Sequence, residues 1–142
     1  MRDRPDLAAM TETLSRALVE AERPVLEEHG LTMWAYVVLL ALGDRPLRTQ
    51  AALAESIGAD KTRIIAVLDG LQGRGLIDRV PDPGDRRARL LSLTPEGRRV
   101  RDAARAGIRA MEERVLARLA EEDREPFLRS LRTLSALPPG SP

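Results

Sequence analysis

Apolar residues recur at three- and four-residue steps through Leu7, Met10, Leu14, Ala17, Ala21 and Val25, which predicts an amphipathic helix. His29-Gly30 stops it. Leu31 to Leu42 is almost wholly apolar, so a second helix there should be buried on most sides. Gly43-Asp44-Arg45-Pro46 then reads as a turn. Thr49 can cap a short helix to about Ser56, with Ala51, Ala52, Leu53 and Ile57 as its apolar positions. Gly58 falls where a helix commonly ends in a left-handed residue. Asp60 can cap the next helix, Lys61 to about Gly73, whose apolar positions are Ile64, Ile65, Val67, Leu68 and Leu71. Two helices joined by a tight Gly-containing turn have the helix-turn-helix layout.

The period then changes from helical to alternating. Leu76 to Val80 reads as a strand and Arg89 to Leu93 as its partner, with turn chemistry in Pro81-Asp82-Pro83-Gly84-Asp85. The two prolines should bar regular pairing at the tip and leave a long, mobile hairpin. A hairpin directly after a helix-turn-helix is a wing. Thr94-Pro95-Glu96 is a strong helix start, combining a capping hydroxyl, proline at the first position and an acid at the positive end. Val100, Ala104, Ile108, Met111, Val115 and Leu119 extend one apolar stripe along the helix that follows. A last helix from about Glu121 carries Phe127, Leu128, Leu131 and Leu134, and Pro138-Pro139-Gly140 ends order. The expected fold is mainly α with a small β-hairpin wing: a winged helix-turn-helix flanked by N- and C-terminal dimerisation helices.

Composition narrows the functions available to such a chain. With 142 residues it can bury a core without staples, and it is 43% hydrophobic, 32% charged and 2% aromatic. The absence of cysteine removes disulfides, thiolate nucleophiles, thiolate zinc sites and thiol redox sensing. A single histidine, no Gly-rich phosphate loop and no identifiable nucleophile argue against an enzyme. Glu27-Glu28-His29 are adjacent and lack a second histidine, so no metal site and no cofactor are expected. No apolar run reaches a membrane span and no leader pattern opens the chain, which predicts a cytoplasmic protein.

Net charge is only +1, yet its distribution is uneven. Met1 to Gly43 holds four Arg against seven acids, whereas Gly73 to Arg101 holds eight Arg against four acids. A basic patch on a near-neutral chain suits local phosphate contact. Lys61, Thr62 and Arg63 stand at the start of the second short helix, the end that enters the major groove in a helix-turn-helix. Arg63 could take guanine bidentately, Thr62 a phosphate or a thymine methyl, and Lys61 a phosphate. Thr49 joins them as a candidate DNA contact. Arg86, Arg87 and Arg89 load the hairpin beside Asp85, and an arginine on such a tip can enter a narrow minor groove. The Asp85 carboxylate is expected to pair with a neighbouring guanidinium and fix its direction. The apolar stripes of the terminal helices exceed what a small winged domain needs, which predicts a homodimer with recognition helices about one DNA turn, roughly 34 Å, apart. A winged helix that binds protein instead of DNA is the alternative, and its wing would more naturally be apolar.

The chain resembles the MarR family of bacterial regulators from about Leu7 to Leu137. The carrying residues are Val67 to Ile77 (VLDGLQGRGLI), Asp85-Arg86-Arg87, and Leu91 to Gly97 (LSLTPEG). The resemblance implies one domain, with residues 30–95 as the winged helix-turn-helix, 5–29 and 95–137 as dimerisation helices and 138–142 as a disordered tail. It implies that Arg87 probes the minor groove, that Asp85 steadies it, and that Arg86 or Arg89 holds backbone phosphate. It further implies a homodimeric repressor on a palindromic operator in double-stranded DNA, released by a small aromatic or phenolic effector. The effector crevice would be lined by His29, Met33, Trp34, Tyr36 and Met111. Ala66 and Gly70 depart from the family pattern, in which polar residues or Arg are frequent, so readout should lean on Lys61, Thr62 and Arg63.

Overall fold

The computed structural model describes residues 3–43 and 48–138. Most of the expected turn at 43–46 and most of the expected tail at 138–142 therefore lie outside the described residues. The order of elements is α1 (Leu7–Glu28), α2 (Met33–Leu42), β1 (Arg48–Thr49), α3 (Gln50–Ile57), α4 (Lys61–Gly73), β2 (Ile77–Asp82), β3 (Asp85–Leu93), α5 (Pro95–Leu116) and α6 (Glu121–Ser135). Two units divide the chain, Met1–Ile108 and Arg109–Pro142.

In the first unit, α2, α3 and α4 close over a small sheet. Val38, Leu39, Leu42, Leu53, Leu68, Leu76, Ile77 and Leu91 are almost completely removed from solvent. Full burial of each larger side chain is worth roughly 1.5–3 kcal/mol, so these residues hold the unit together. The helix starts are set by local side-chain caps. Thr32 accepts the Ala35 N–H at 3.1 Å, Thr49 the Ala52 N–H at 3.0 Å and Asp60 the Arg63 N–H at 2.8 Å. Gly58 ends α3 at φ +68°, a conformation that costs an L-residue with a side chain.

The sheet is larger than the sequence suggests. β1, two residues long, adds to the hairpin in the order β1-β3-β2, with Thr49 opposite Leu90. So short a strand carries no alternation to read. β2 and β3 pair antiparallel from Ile77↔Leu93 out to Pro81↔Arg89, one residue beyond the expected end at Val80. The ladder then breaks between Pro81 and Asp82, and Asp82 faces Asp85. Regular pairing thus fails at the prolines, though later than expected.

Thr94 does two jobs at the start of α5: its hydroxyl donates to the Gly75 carbonyl at 2.6 Å and accepts the Gly97 N–H at 2.9 Å. A Cβ on Gly97 would sit 2.0 Å from the Leu76 carbonyl oxygen, so the helix can approach the wing base only with glycine there. Val100, Ala104 and Ile108 on this part of α5 are buried.

The terminal helices differ from this core. On α1 only Leu26 is buried, and Leu7 and Met10 of the expected stripe are 62% and 40% exposed. In the second unit Met111 is buried. α5 ends at Leu116, so the expected stripe does not run unbroken to Leu119, which lies in the turn before α6. Pro126 is accommodated within α6, and that helix buries none of its residues, with Leu131 and Leu134 exposed. Among the described residues no single helix is long and apolar enough to cross a membrane.

Candidate nucleic-acid interface

The first turn of α4 is projected by the Asp60 cap, and Lys61, Thr62 and Arg63 are all exposed. Ile64, Leu68 and Leu71 face inward and anchor the helix, while Ile65 is 47% exposed. Ile65 is therefore not the core residue its apolar character suggests. At 100° per residue it lies about 60° round α4 from Leu68, at the edge of the buried face, where it lines the cleft beside the wing.

An open cleft of about 370 Å³ separates the starts of α3 and α4 from the wing. Thr49, Lys61, Asp85, Arg87 and Arg89 line it, together with Gln50 and Ile65. Five of the eight candidate DNA-contacting residues thus share one concavity, and Thr62, Arg63 and Arg86 stand outside its wall. The Thr49 hydroxyl is already engaged as the cap of α3. A helix N-terminus flanked by cations is suited to an anion such as phosphate.

At the wing tip, the register jumps from Pro81↔Arg89 to Asp82↔Asp85, which leaves residues 86–88 of β3 without ladder partners. Arg86 and Arg87 therefore sit on an excursion from the strand, a device that re-aims side chains. Asp85 Oδ1 accepts the Arg87 main-chain N–H at 3.0 Å. The expected pairing with a guanidinium is replaced by a turn-forming bond to backbone, because a short Asx side chain most readily reaches the amide two residues on. Asp82 does the same for the Gly84 N–H at 2.8 Å.

The arginines of this unit fall into two groups. Arg79 donates to Gln72 at 2.7 Å, pairs with Asp69 and reaches Gln50 at 3.5 Å, tying β2 to α4 and the start of α3. Arg74 donates to the carbonyls of Gly30 at 2.7 Å and His29 at 3.0 Å, joining the end of α4 to the end of α1. By contrast, Lys61 and the guanidinium groups of Arg63, Arg86, Arg87 and Arg89 have no hydrogen-bond or ion-pair partner among the described residues. Sequence reasoning missed Gln50, Ile65 and Arg79. Arg79 had a legible signal: in β2 it alternates with Ile77 onto the inner face, while apolar Val80 points outward.

The candidate effector residues stand in different local settings. His29 is the C-cap of α1, Tyr36 is buried, and Met111 belongs to the second unit. Trp34 is half-buried and carries the Arg63 guanidinium over its ring, 5.4 Å from the centroid. Met33 alone lines a groove of about 380 Å³ between α1 and the start of α2, with Val19, Arg23, Leu26, Glu27 and Leu31. Among the described residues no cluster of His, Asp and Glu suits a metal ion.

A family model described as MarR family matches residues 29–88. The transcriptional regulator HosA of Escherichia coli O111:H- is 35% identical over 104 residues, which span 73% of this chain and 77% of that protein. Among solved structures, the PcaV transcriptional regulator from Streptomyces coelicolor in complex with its natural ligand is similar, with 33% identity and a TM-score of 0.72. That match covers 93% of this chain and 96% of PcaV. The transcriptional repressor CouR bound to a 23-mer DNA duplex is 30% identical, with a TM-score of 0.80 over 92% of each chain.

Proposed function

The chain belongs to the MarR family of transcriptional regulators, and on that premise we propose that it is a homodimeric, cytoplasmic repressor that binds a palindromic operator in double-stranded DNA. One observation carries this reading: Lys61 of the α4 start and Arg87 and Arg89 of the wing, without hydrogen-bond or ion-pair partners among the described residues, line one open cleft, while Arg74 and Arg79 nearby are tied into the fold. Cations held at a surface without partners release condensed counterions when they meet phosphate, which drives association. The start of α4 enters the major groove, where Arg63 and Ile65 face base edges. Arg87 enters the flanking minor groove, and Arg86 and Arg89 hold phosphates.

Residues 30–95 act as the DNA-binding part, and 5–29 with 95–137 as the dimerisation part. The exposed Leu7 and Met10 on α1, and Leu131 and Leu134 on α6, support dimerisation, since apolar stripes of this kind are stable when a second copy covers them. A small aromatic or phenolic effector releases the DNA. Support comes from PcaV, solved with its natural ligand, and from the α1–α2 groove, whose volume falls in the small-ligand range.

The test is selection of duplexes from a randomised pool by the full-length chain, followed by footprinting. A palindrome with half-sites about 10 base pairs apart is expected, bound by two chains. Enrichment of no sequence would overturn the reading and leave protein recognition as the role of the winged helix.

A further inference from the structure

The polar residues at the start of α4 are not held alike. Lys61 lines the cleft, whereas the Arg63 guanidinium lies over Trp34, within the roughly 6 Å reach of a cation–π contact. Trp34 is the second residue of α2, whose first turn is fixed by the Thr32 cap and by burial of Ala35 and Tyr36. Its half-buried ring therefore stands on a fixed first turn beside α4.

Stacking engages the flat face of a guanidinium, while its five N–H donors radiate in the plane. No hydrogen bond or ion pair among the described residues engages those donors in Arg63. A guanidinium held over a ring with its N–H donors unengaged can still offer two of them to a guanine edge. A free arginine side chain samples many rotamers, and ordering it opposes each contact it makes. A ring that restricts those rotamers before DNA arrives removes part of that opposition.

We propose that Trp34 is a positioning residue for sequence readout: its indole presets the Arg63 fork for a base edge, so that a residue of α2 outside the groove sets the specificity of α4. The proposal rests on the reading of α4 as a DNA-reading helix. It makes Trp34 part of the DNA-reading apparatus, where the resemblance alone assigned it to an effector crevice.

The test uses the full-length chain and the duplex that the wild type selects from a random pool, with a scrambled duplex as control. Trp34→Leu removes the aromatic face and is expected to weaken the selected duplex about tenfold, with less than about twofold change on the control. Trp34→Phe keeps the face and should stay within about threefold of wild type, which also guards against a leucine variant that fails to fold. In an Arg63→Ala background, Trp34→Leu should add no further loss, the signature of two residues acting through one contact. Trp34 is the only tryptophan, so its emission reports on the stack directly, and Arg63→Ala should shift it in the DNA-free protein. The proposal is overturned if Trp34→Leu binds the selected duplex as well as or better than wild type, or loses equally in the Arg63→Ala background. Unchanged emission on Arg63→Ala overturns the stack itself. If the wild type enriches no duplex, the DNA-binding reading falls and this proposal with it, which separates the two failures.

Discussion

The start of α4 and the tip of the wing carry the same kind of charge on different footings. Arg63 sits on a capped helix, its backbone N–H bonded to Asp60 and its guanidinium over the half-buried ring of Trp34. Arg87 sits where three residues of β3 leave the ladder, and it is held through its main chain by Asp85. One cation is restrained at its guanidinium by a ring, and the other is held at its root but free along its side chain. A fixed donor can discriminate among base edges, because a wrong edge finds no partner and the geometry cannot adjust. A donor free to adjust follows the most negative potential and reads groove width or phosphate.

The sharpest way to break this contrast is Arg63→Ala. It should cost about 2 kcal/mol on the selected duplex, within the range for one bidentate base contact. On a scrambled duplex it should cost far less, so the ratio between the two falls. A uniform loss on both duplexes, measured by titration at fixed salt, would reduce Arg63 to a phosphate contact. Arg87→Ala should cost about 1.5 kcal/mol and lower affinity for A·T-flanked duplexes most, while the protein stays folded. Unchanged affinity in a salt-controlled titration would remove the wing from the interface. Asp85→Ala comes next, with a loss of roughly 0.5–1 kcal/mol in DNA affinity from a loosened turn, the usual worth of one such hydrogen bond. Asp85→Asn retains an acceptor oxygen and should recover most of it. If Asn fails to rescue, the charge of Asp85 matters and not its turn.

How much of this was legible in the sequence follows from the range of each interaction. Caps act over two or three residues, so Thr49, Asp60 and the Thr94-Pro95 start could be read directly, as could the left-handed Gly58. The buried run of α2 and the hairpin after α4 were legible from periodicity. Contacts between distant parts of the chain were not. The Trp34–Arg63 stack joins residues 29 positions apart, and neither residue type announces the other. Arg79 reaches back to Gln72, Asp69 and Gln50, across three elements. The exposure of Ile65 was not legible either, since an apolar residue at a helical step looks the same whether or not a surface faces it. The Asp85 contact went to main chain instead of side chain, since local turn geometry outcompeted the longer-range charge pairing. The basic region was visible as composition, and its division into engaged and unengaged arginines needed the fold.

The smallest effect expected concerns the middle of the recognition helix. Gly70 is exposed on α4, and a Cβ built there meets nothing within 4 Å. Glycine within a helix costs up to about 1 kcal/mol relative to alanine, chiefly in backbone entropy. Gly70→Ala should therefore raise stability by roughly 0.5–1 kcal/mol, read as a shift in denaturant midpoint without a change in slope. If readout is confined to the first turn of α4, where Arg63 is preset, the affinity for the selected duplex should stay unchanged. A more stable protein that binds more weakly would mean that DNA backbone approaches α4 closely at Gly70, where only a missing side chain leaves room. The fixed footing would then extend along two further turns of the helix, and the contrast between helix and wing would be one of length as well as of rigidity.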